Sequence, residues 1–401
     1  MSVTRKISVV LVLVTVMCLA ASASFAQSPT LLEYPYIYKS TRAMGMGGAY
    51  TAVGGRVDTL FYNPAGLINI PKDKGWEVNL INLSVELGKN IADMSPNLAK
   101  GDFGKDTIAQ DATDAMDKNL HPDDSDQAII DVAAKYVGKN VHARVADFTS
   151  VGASWDRWAF GVGGIGSGRV DAMLHEGFGS EGVAEVNVDA LYGGIGGVSI
   201  GVTDSLFLGL SVKQLHRENI FVNLSPGKFA ENSNNIDTYL QDLQKKGDAV
   251  GFDAGLIWKF APDSWFRPSL GVSVMNIGDL KFTNDAGVMP QTVNTGIAIN
   301  PDLSWARSFI VGLDYIDVAN GYKQDKDLPK RIRYGAELQL FDILPIELAL
   351  RAGMYMGSPT YGADLRLLFL TVSYAAYTEE VGAYAGQDKD ARQLLTLNLG
   401  W

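Results

Sequence analysis

Much of the sequence alternates between apolar and polar residues with a period of two. From Arg331 to Leu340 every even-numbered residue is apolar, and every odd-numbered residue is charged, polar or glycine. The segments Phe252–Phe260, Glu347–Met354 and Ala363–Leu367 largely repeat this pattern. A period of two is typical of β-strands with one apolar and one polar face. Many of these segments reach about 10 residues, the length with which a tilted strand crosses a bilayer.

These segments predict an all-β fold: a transmembrane antiparallel β-barrel of about 14 strands with an N-terminal hatch folded inside its lumen. A soluble β-sandwich also alternates, but its strands are shorter and its polar face meets bulk water. An even strand number places both ends of the barrel chain in the periplasm. The predicted strands are residues 76–87, 146–156, 157–170, 184–198, 205–218, 248–260, 267–280, 290–300, 306–318, 330–340, 345–356, 359–367, 369–380 and 391–401.

The tryptophans support this topology. All seven fall at predicted periplasmic strand ends, where a barrel places its aromatic girdle, whereas a soluble core would scatter them through strand middles. They are Trp76, Trp155, Trp158, Trp258, Trp265, Trp305 and Trp401. The opposite end has two long connections, residues 88–145 and 219–247, which we interpret as extracellular loops. Helix-like stretches in them are Thr107–Lys118, Ser125–Val137 and Asn235–Lys246.

The first 26 residues predict a cleaved signal peptide and export by the general secretory route. Arg5 and Lys6 precede an apolar run from Ile7 to Ala21, and Ser24-Phe25-Ala26 forms a cleavage site of the small-x-small type. The alternative is a membrane anchor, but the apolar run is shorter than the roughly 20 residues that a span requires. The single cysteine, Cys18, leaves with the signal peptide, so no disulfide is expected.

Composition narrows the classes of partner. The formal net charge is −11, which argues against nucleic acid. The acidic residues between Asp111 and Asp126 lack the spacing of a calcium loop, and the four histidines are scattered. We therefore predict no metal site, no cofactor and no enzyme activity. The expected environment is the bacterial outer membrane with its lipids and lipopolysaccharide, and the expected state is a monomer.

The segment before the first strand predicts a hatch. Residues 41–67 are too apolar for a linker and too rich in glycine for a strand, so the barrel lumen is their natural place. We divide the chain into signal peptide (1–26), hatch (27–75) and barrel (76–401). The candidate hatch and gate residues are Met44, Gly45, Met46, Gly47, Gly48, Tyr50, Phe61, Tyr62, Asn63, Pro64 and Ala65.

This segment resembles a known family. Arg42–Tyr50 reads RAMGMGGAY, an acid follows at Asp58, and Tyr62–Leu67 reads YNPAGL. These residues resemble the N-terminal hatch of FadL-type outer-membrane transporters. A closer resemblance is to the branch labelled conjugal transfer TraF-like, which shares this opening and a late YAAYTEE segment, Tyr374–Glu380. The resemblance implies a plugged barrel of fourteen strands that moves long-chain fatty acids or other hydrophobic molecules.

A run of glycines on the third strand has two interpretations. Residues 161–166 read GVGGIG and match a dinucleotide-binding pattern, but they lie within a strand and no helix follows. Gly161, Gly163, Gly164 and Gly166 are either small residues beside the hatch or a kink in the wall. FadL-type barrels have a comparable kink, which implies lateral release of ligand into the membrane.

The inward face of the late strands carries charges of both signs. A ladder of ion pairs that holds wall and hatch is one interpretation. The other is ligand binding, because guanidinium groups pair with carboxylates in two-point geometry; Arg331, Arg333 and Arg351 are the candidates. The inward-facing charges are Lys213, Asp253, Lys259, Asp314, Arg331, Arg333, Glu337, Glu347, Arg351, Asp364, Arg366 and Glu379.

Two functions follow from the sequence. The first is a channel for small hydrophobic ligands, such as long-chain fatty acids, gated by the hatch and with lateral release. The alternative is a non-transporting structural barrel whose loops bind a partner protein in an envelope, secretion or conjugation complex. A continuous apolar tunnel would favour the channel, and a lumen filled by charged pairs would favour the structural barrel.

Overall fold

Fourteen antiparallel strands close into a barrel, with each barrel strand beside its sequence neighbour and the first strand beside the last. The computed structural model describes residues 33–72, 75–94, 137–175, 183–224, 236–323, 326–343 and 346–401. The barrel strands are β1 (Trp76–Gly88), β2 (Asn140–Ser154), β3 (Trp158–His175), β4 (Val183–Gly201), β5 (Leu206–Leu224), β6 (Lys245–Trp258), β7 (Ser269–Met275), β10 (Thr292–Ile299), β11 (Ser308–Tyr315), β12 (Ile332–Ile343), β13 (Ile346–Tyr355), β14 (Ser358–Leu367), β15 (Leu370–Glu380) and β16 (Lys389–Gly400).

Short elements complete the described chain. A separate ribbon consists of β8 (Leu280–Lys281) and β9 (Val288–Met289). The helices are α1 (Thr41–Gly45), α2 (Lys89–Met94), α3 (Ile236–Leu243) and α4 (Leu328–Arg331), and two 3₁₀ turns span Val57–Phe61 and Pro64–Asn69. None of the helices in the described ranges has the length and apolar composition needed to cross a bilayer.

The predicted fold is confirmed: each of the fourteen predicted strands coincides with one barrel strand. The main differences lie at the loop ends. β2, β3 and β5 extend further than predicted. In β3 and β5 ladder pairing continues where the apolar alternation has ended, whereas the added residues 140–145 of β2 still alternate. β7 ends earlier than predicted, because Asn276 (φ 54°) and Asp279 (φ 66°) turn the chain into the ribbon. The predicted helix at Asn235–Lys246 is α3; the predicted signal peptide and the predicted helical residues 107–118 and 125–136 lie outside the described residues.

The two faces of the wall follow the alternation. On β5, Leu208 and Leu210 point outward and are exposed, whereas Ser211 and Lys213 point into the lumen and are buried. All seven tryptophans are exposed and lie at the same end of the barrel. Trp155 and Trp158 stack there with ring centroids 4.1 Å apart. The barrel therefore carries an apolar outer band with an aromatic rim.

The wall is regular in β3 and irregular in β1. β3 pairs with β2 and β4 without a register shift, so the backbone has no bulge at the glycine run. In β1 the register with β2 shifts between Asn79 and Leu83, and the register with β16 shifts between Asn79 and Ile81. Leu80 and Ile81 both face outward at this β-bulge. A further register shift among the described strands lies between β12 and β13, at Gln339 and Phe341.

Candidate functional site

The described part of the hatch, residues 33–72, lies inside the barrel against opposite walls. Helix α1 packs against β13, β14 and β15, and the turn Pro64–Asn69 packs against β4, β5 and β6. Every residue from Tyr38 to Val53 is buried. Because the segment bridges the lumen between two sides of the wall, a solute must pass around it or move it.

Local sequence explains the shape of the hatch. Ser40 caps α1 by accepting a hydrogen bond from the amide of Ala43, and Gly47 and Gly48 end it at φ 67° and 80°. Asn63 caps the second turn, and its Nδ2 donates to the carbonyl oxygens of Thr51 (2.7 Å) and Leu256 (3.2 Å). The NPAG motif thus joins two parts of the hatch to the wall at β6.

Glycines on the inner face of the wall receive the hatch backbone. A Cβ atom on Gly335 would lie 2.4 Å from the carbonyl oxygen of Met46, and one on Gly209 would lie 2.1 Å from the amide nitrogen of Ala65. Real Cβ atoms do not approach backbone so closely, so only glycine fits at these positions. The wall glycines that touch hatch backbone or the Asn63 side chain in this way are Gly209, Gly255, Gly271, Gly335, Gly353 and Gly362.

Ion pairs hold the hatch to β12, β13 and β14. Arg42 donates two hydrogen bonds to Glu337 (2.8 and 2.7 Å), and Arg56 donates one to Asp364 (2.8 Å). Arg351 lies between these acids, 2.6 Å from each. This fork-to-fork geometry satisfies the carboxylates that burial would otherwise leave unpaired. The predicted ladder of lumen ion pairs is present here.

A second charged cluster surrounds Lys39. Its Nζ lies 2.8 Å from Glu33, 2.9 Å from Glu379 and 3.2 Å from Glu86. Burial by itself would lower the pKa of Lys39, but these three carboxylates raise it above its ordinary value. Burial would likewise raise the pKa of Glu33, but the charges of Arg392 and Lys39 hold it well below its ordinary value. The N-terminal end of the hatch is therefore fixed by full charges.

One region on the β2 to β5 side of the lumen is apolar instead, although the same strands also carry inward polar residues such as His142, Asp171 and Lys213. Leu60 and Leu67 of the hatch belong to one buried cluster with inward-facing residues of these strands. The ribbon adds Leu280 and Met289 to the same cluster. The wall residues are Phe148, Ala159, Ile165, Leu191, Ile195, Phe207 and Leu215. The hatch thus has a charged side and an apolar side, and dispersion and hydrophobic contacts dominate on the second.

A cavity of about 200 Å³ lies between the hatch and the wall. Its lining mixes polar residues, among them Arg56, Glu77 and Gln339, with apolar ones, and Trp76 and Trp401 place it toward the tryptophan end. Asn79, Asn82 and Phe148 also line it, so it reaches the bulge of β1. At that bulge the side chains of β2 replace missing ladder bonds: Asp147 accepts from the amide of Asn82 (2.9 Å), and Thr149 donates to the carbonyl of Leu80 (3.1 Å).

The structure gives each predicted site residue a position. Met44, Met46, Tyr50, Asn63 and Ala65 are fully buried within the hatch, and Phe61 is partly buried. A Cβ on Gly161 would meet Leu67 and Val57, and one on Gly163 would meet Phe148. Gly164 and Gly166 face outward, where a Cβ would meet at most one atom, at 3.8 Å. Only part of the glycine run therefore lies beside the hatch.

The three candidate arginines have different surroundings. Arg351 is occupied by Glu337 and Asp364. Arg331 donates to the carbonyl oxygens of Ile316 and Asp317. Arg333 lies among tyrosine rings.

Sequence reasoning identified only Glu379 of the cluster around Lys39. On their strands, Glu86 and Arg392 lie between apolar residues that face outward. The period of two could therefore have identified both as charges that face the lumen. Lys39 lies in the irregular N-terminal segment, for which no period predicts a contact.

Three buried groups have the spacing of metal ligands. Glu33, His142 and Asp171 place one ligand atom each within 4.8 Å of one another. Arg392 lies 3.1 Å from Glu33, and Arg169 lies 3.1 Å from Asp171. These guanidinium groups already neutralise the two carboxylates, so the surroundings favour ion pairs over a cation.

Comparison with known proteins supports the fold. No family model and no curated protein matches this sequence. The solved toluene transporter TbuX of Ralstonia pickettii superposes with a TM-score of 0.52 at 11% identity, over 92% of this chain and 98% of that one. The chain has the fold of this transporter. Weaker likenesses are to a deletion mutant of the TodX monoaromatic hydrocarbon channel (TM-score 0.49, 14% identity, 92% and 98% covered) and to a Pseudomonas aeruginosa FadL homologue (0.37, 11%, 92% and 99%).

The chain therefore shares the closed β-barrel fold of a solved bacterial transporter. At this level of identity the likeness concerns the fold. The resemblance to the TraF-like branch and the route of secretion stay predictions, and so do the domain boundaries.

Proposed function

We propose that this barrel is an outer-membrane channel for small hydrophobic molecules, such as long-chain fatty acids, and that the hatch gates it. The observation that carries the proposal is the apolar cluster within the lumen, which Leu60 and Leu67 form with some of the inward-facing residues of β2 to β5. A lumen that conducts polar solutes would have a polar inner wall throughout. An apolar wall lowers the free energy of a hydrophobic solute that replaces the hatch contacts. The solute of TbuX, which is named a toluene transporter, belongs to the same chemical class.

The two sides of the hatch suggest how it opens. Ion pairs anchor the hatch at β12 to β14, so we expect movement on the apolar side. A solute that separates Leu60 and Leu67 from the wall replaces apolar contacts with apolar contacts, whereas separation of Arg42 from Glu337 would expose unpaired buried charges. The cavity between the hatch and the wall would then lead the solute toward the periplasm.

Lateral release is part of the proposal, with two candidate positions. The first is the predicted one at Gly161, Gly163, Gly164 and Gly166. The second is the bulge of β1, where the cavity reaches the only shift in pairing between β1 and β2 among the described residues. A double variant, Gly163→Val/Gly164→Val, tests the first position; a folded variant with normal uptake excludes it.

Uptake by proteoliposomes tests transport directly. Liposomes with and without the barrel receive long-chain fatty acids or aromatic hydrocarbons from outside, and the internal amount is followed in time. We expect faster uptake with the barrel, and faster still with Leu60→Ala/Leu67→Ala. Leu210→Ala, on the outer face, serves as a matched control. Equal uptake with and without the barrel for every solute would refute the transport function.

The second candidate is a structural barrel that binds a partner protein. It is favoured by the ion pairs that fill the β12 to β16 side of the lumen and by the ribbon that covers the apolar cluster. Such a barrel needs a rigid lumen, so Leu60→Ala/Leu67→Ala would alter thermal stability without changing solute uptake.

A further inference from the structure

Arg333 differs from the other buried arginines in the lumen. Arg42, Arg351 and Arg392 each contact carboxylates at 2.6 to 3.2 Å. Arg331 donates to two backbone carbonyls, and Arg144 donates to the hydroxyl of Ser167 and the carbonyl of Ile37. Arg333 is 1% exposed, and its Nε has no hydrogen-bond partner. No carboxylate of the described residues lies within ion-pair distance of its guanidinium group.

Tyrosine rings surround this guanidinium. Its central carbon lies 4.5 Å from the ring centroid of Tyr355 and 5.5 Å from the centroids of Tyr34 and Tyr36. Gly48 adds room, because a Cβ there would lie 2.9 Å from the Cδ of Arg333. The acid opposite Arg333 on the neighbouring strand, Asp314, accepts the amides of Tyr50 and Thr51 instead.

A buried guanidinium without an acid is costly, and tyrosine faces offset only part of that cost. We call Arg333 and the three tyrosine rings around it the cage; this cage therefore lacks an anion. We propose that Arg333, with Tyr34, Tyr36 and Tyr355, binds the carboxylate of an aromatic acid. The guanidinium fork matches a carboxylate, and the tyrosine rings provide faces against which an aromatic body packs. A phosphate dianion fits less well, because Glu379 accepts the hydroxyl of Tyr355 at 3.0 Å and would repel the second charge.

The position of the cage fits a site of first contact. Arg333 and Tyr355 lie at strand ends opposite to the tryptophans, on the extracellular side of the hatch. Tyr34 and Tyr36 belong to the first described residues of the hatch and are only partly buried. A ligand from outside reaches Arg333 when the rings of Tyr34 and Tyr36 turn aside, while Glu33 and Lys39 on either side stay in their charged cluster. This inference rests on the proposed channel function and names its preferred solute.

Binding of a matched pair of ligands tests the inference. 4-Phenylbutanoate and 4-phenylbutanol differ in the acid group, and equilibrium dialysis with the purified barrel in detergent micelles measures the affinity for each. We expect the acid to bind at least about tenfold more tightly than the alcohol, as for one charge-assisted contact. In Arg333→Met this advantage disappears while the alcohol binds as before.

Arg331→Met is the control, because it removes the same charge from a guanidinium whose hydrogen bonds go to carbonyls. Gel mobility before and after heating shows that each variant is folded. If the native barrel binds the acid and the alcohol with equal affinity, the inference is wrong, and no variant is needed to show it. The inference is also wrong if Arg333→Met is folded and binds the acid as tightly as the native barrel does. Proteoliposome uptake is scored separately: Arg333-dependent binding without uptake of any solute refutes the channel and leaves the subsite.

Discussion

At the scale of single residues, glycine determines how closely the hatch approaches the wall. On the inner face of a strand, a glycine removes the side chain that would hold another backbone at a distance. Gly335 and Gly353 pair directly with each other across β12 and β13, and both meet the backbone of Met46 or Gly47. Gly166 faces outward, and a Cβ there would have no neighbour within 4 Å, so this glycine has no such role.

Gly335→Ala tests this distinction. The added methyl would overlap the carbonyl of Met46, so we expect the hatch to shift and to lose about 1 to 3 kcal/mol of stability, as for an overpacked core. Conductance of the barrel in planar bilayers should rise. Gly166→Ala is the matched control and should change neither conductance nor thermal unfolding. Equal conductance of the two variants would contradict the proposed close contact.

At the scale of elements, the hatch is short and depends on the wall for its structure. Helix α1 has five residues, too few to be stable alone. The wall holds the hatch through the pair Arg42–Glu337 of α1 and through the apolar contacts of Leu60 and Leu67 further along the hatch. A hatch held in this way can move as a unit once a solute takes the place of its contacts with the wall.

Arg42→Met should loosen the hatch. Breaking a buried ion pair costs about 3 to 5 kcal/mol, and the low end applies because Arg351 still pairs with Glu337. We expect faster hydrogen exchange at hatch amides. Arg157→Met, in an exposed pair with Asp204, is the control and should cost below about 1 kcal/mol. Similar exchange in both variants would show that the buried pair does not hold the hatch.

Acid should release the N-terminal end of the hatch. Burial would raise the pKa of Glu33, but Arg392 and Lys39 hold it well below the ordinary value of 4.5. Because the folded pKa is the lower one, Glu33 stabilises fully above about pH 4.5, and this contribution is lost as the pH falls through the folded pKa. Hydrogen exchange at residues 34–39 should be slow from about pH 5 to about pH 8 after correction for intrinsic rates and should accelerate in stronger acid. In Glu33→Gln it should be fast throughout.

At the scale of the whole molecule, the bilayer acts on the outer face and the hatch acts on the inner face. The outer face needs apolar residues at alternate positions, and Leu210, which is 62% exposed, is one of them. The inner face carries charges, and most of them are stabilised by pairing with the hatch and with neighbouring strands. The barrel closes where β1 meets β16, with Val78 and Trp401 exchanging two backbone hydrogen bonds.

Leu210→Arg should destabilise the barrel in bilayers by about 2 to 4 kcal/mol, because it places a charge on the lipid face. Urea titration in lipid vesicles measures the effect. Asp263→Arg, in the exposed turn before β7, is the control and should change stability little. If Leu210→Arg leaves the stability unchanged, this side chain lies outside the hydrocarbon region.

The sequence by itself determined the strands, their faces, the even strand number and the tryptophan end, because the period of two reports directly which side of a strand meets lipid. It also predicted an N-terminal hatch from the composition of residues 41–67. The partners of individual charges depended on tertiary structure: alternation places Arg331, Arg333 and Arg351 inward but does not show that, of these three, only Arg333 lacks a carboxylate or carbonyl partner among the described residues. The bulge in β1 likewise follows from pairing across strands, since no local pattern in residues 79–83 records which neighbouring ladder loses its register.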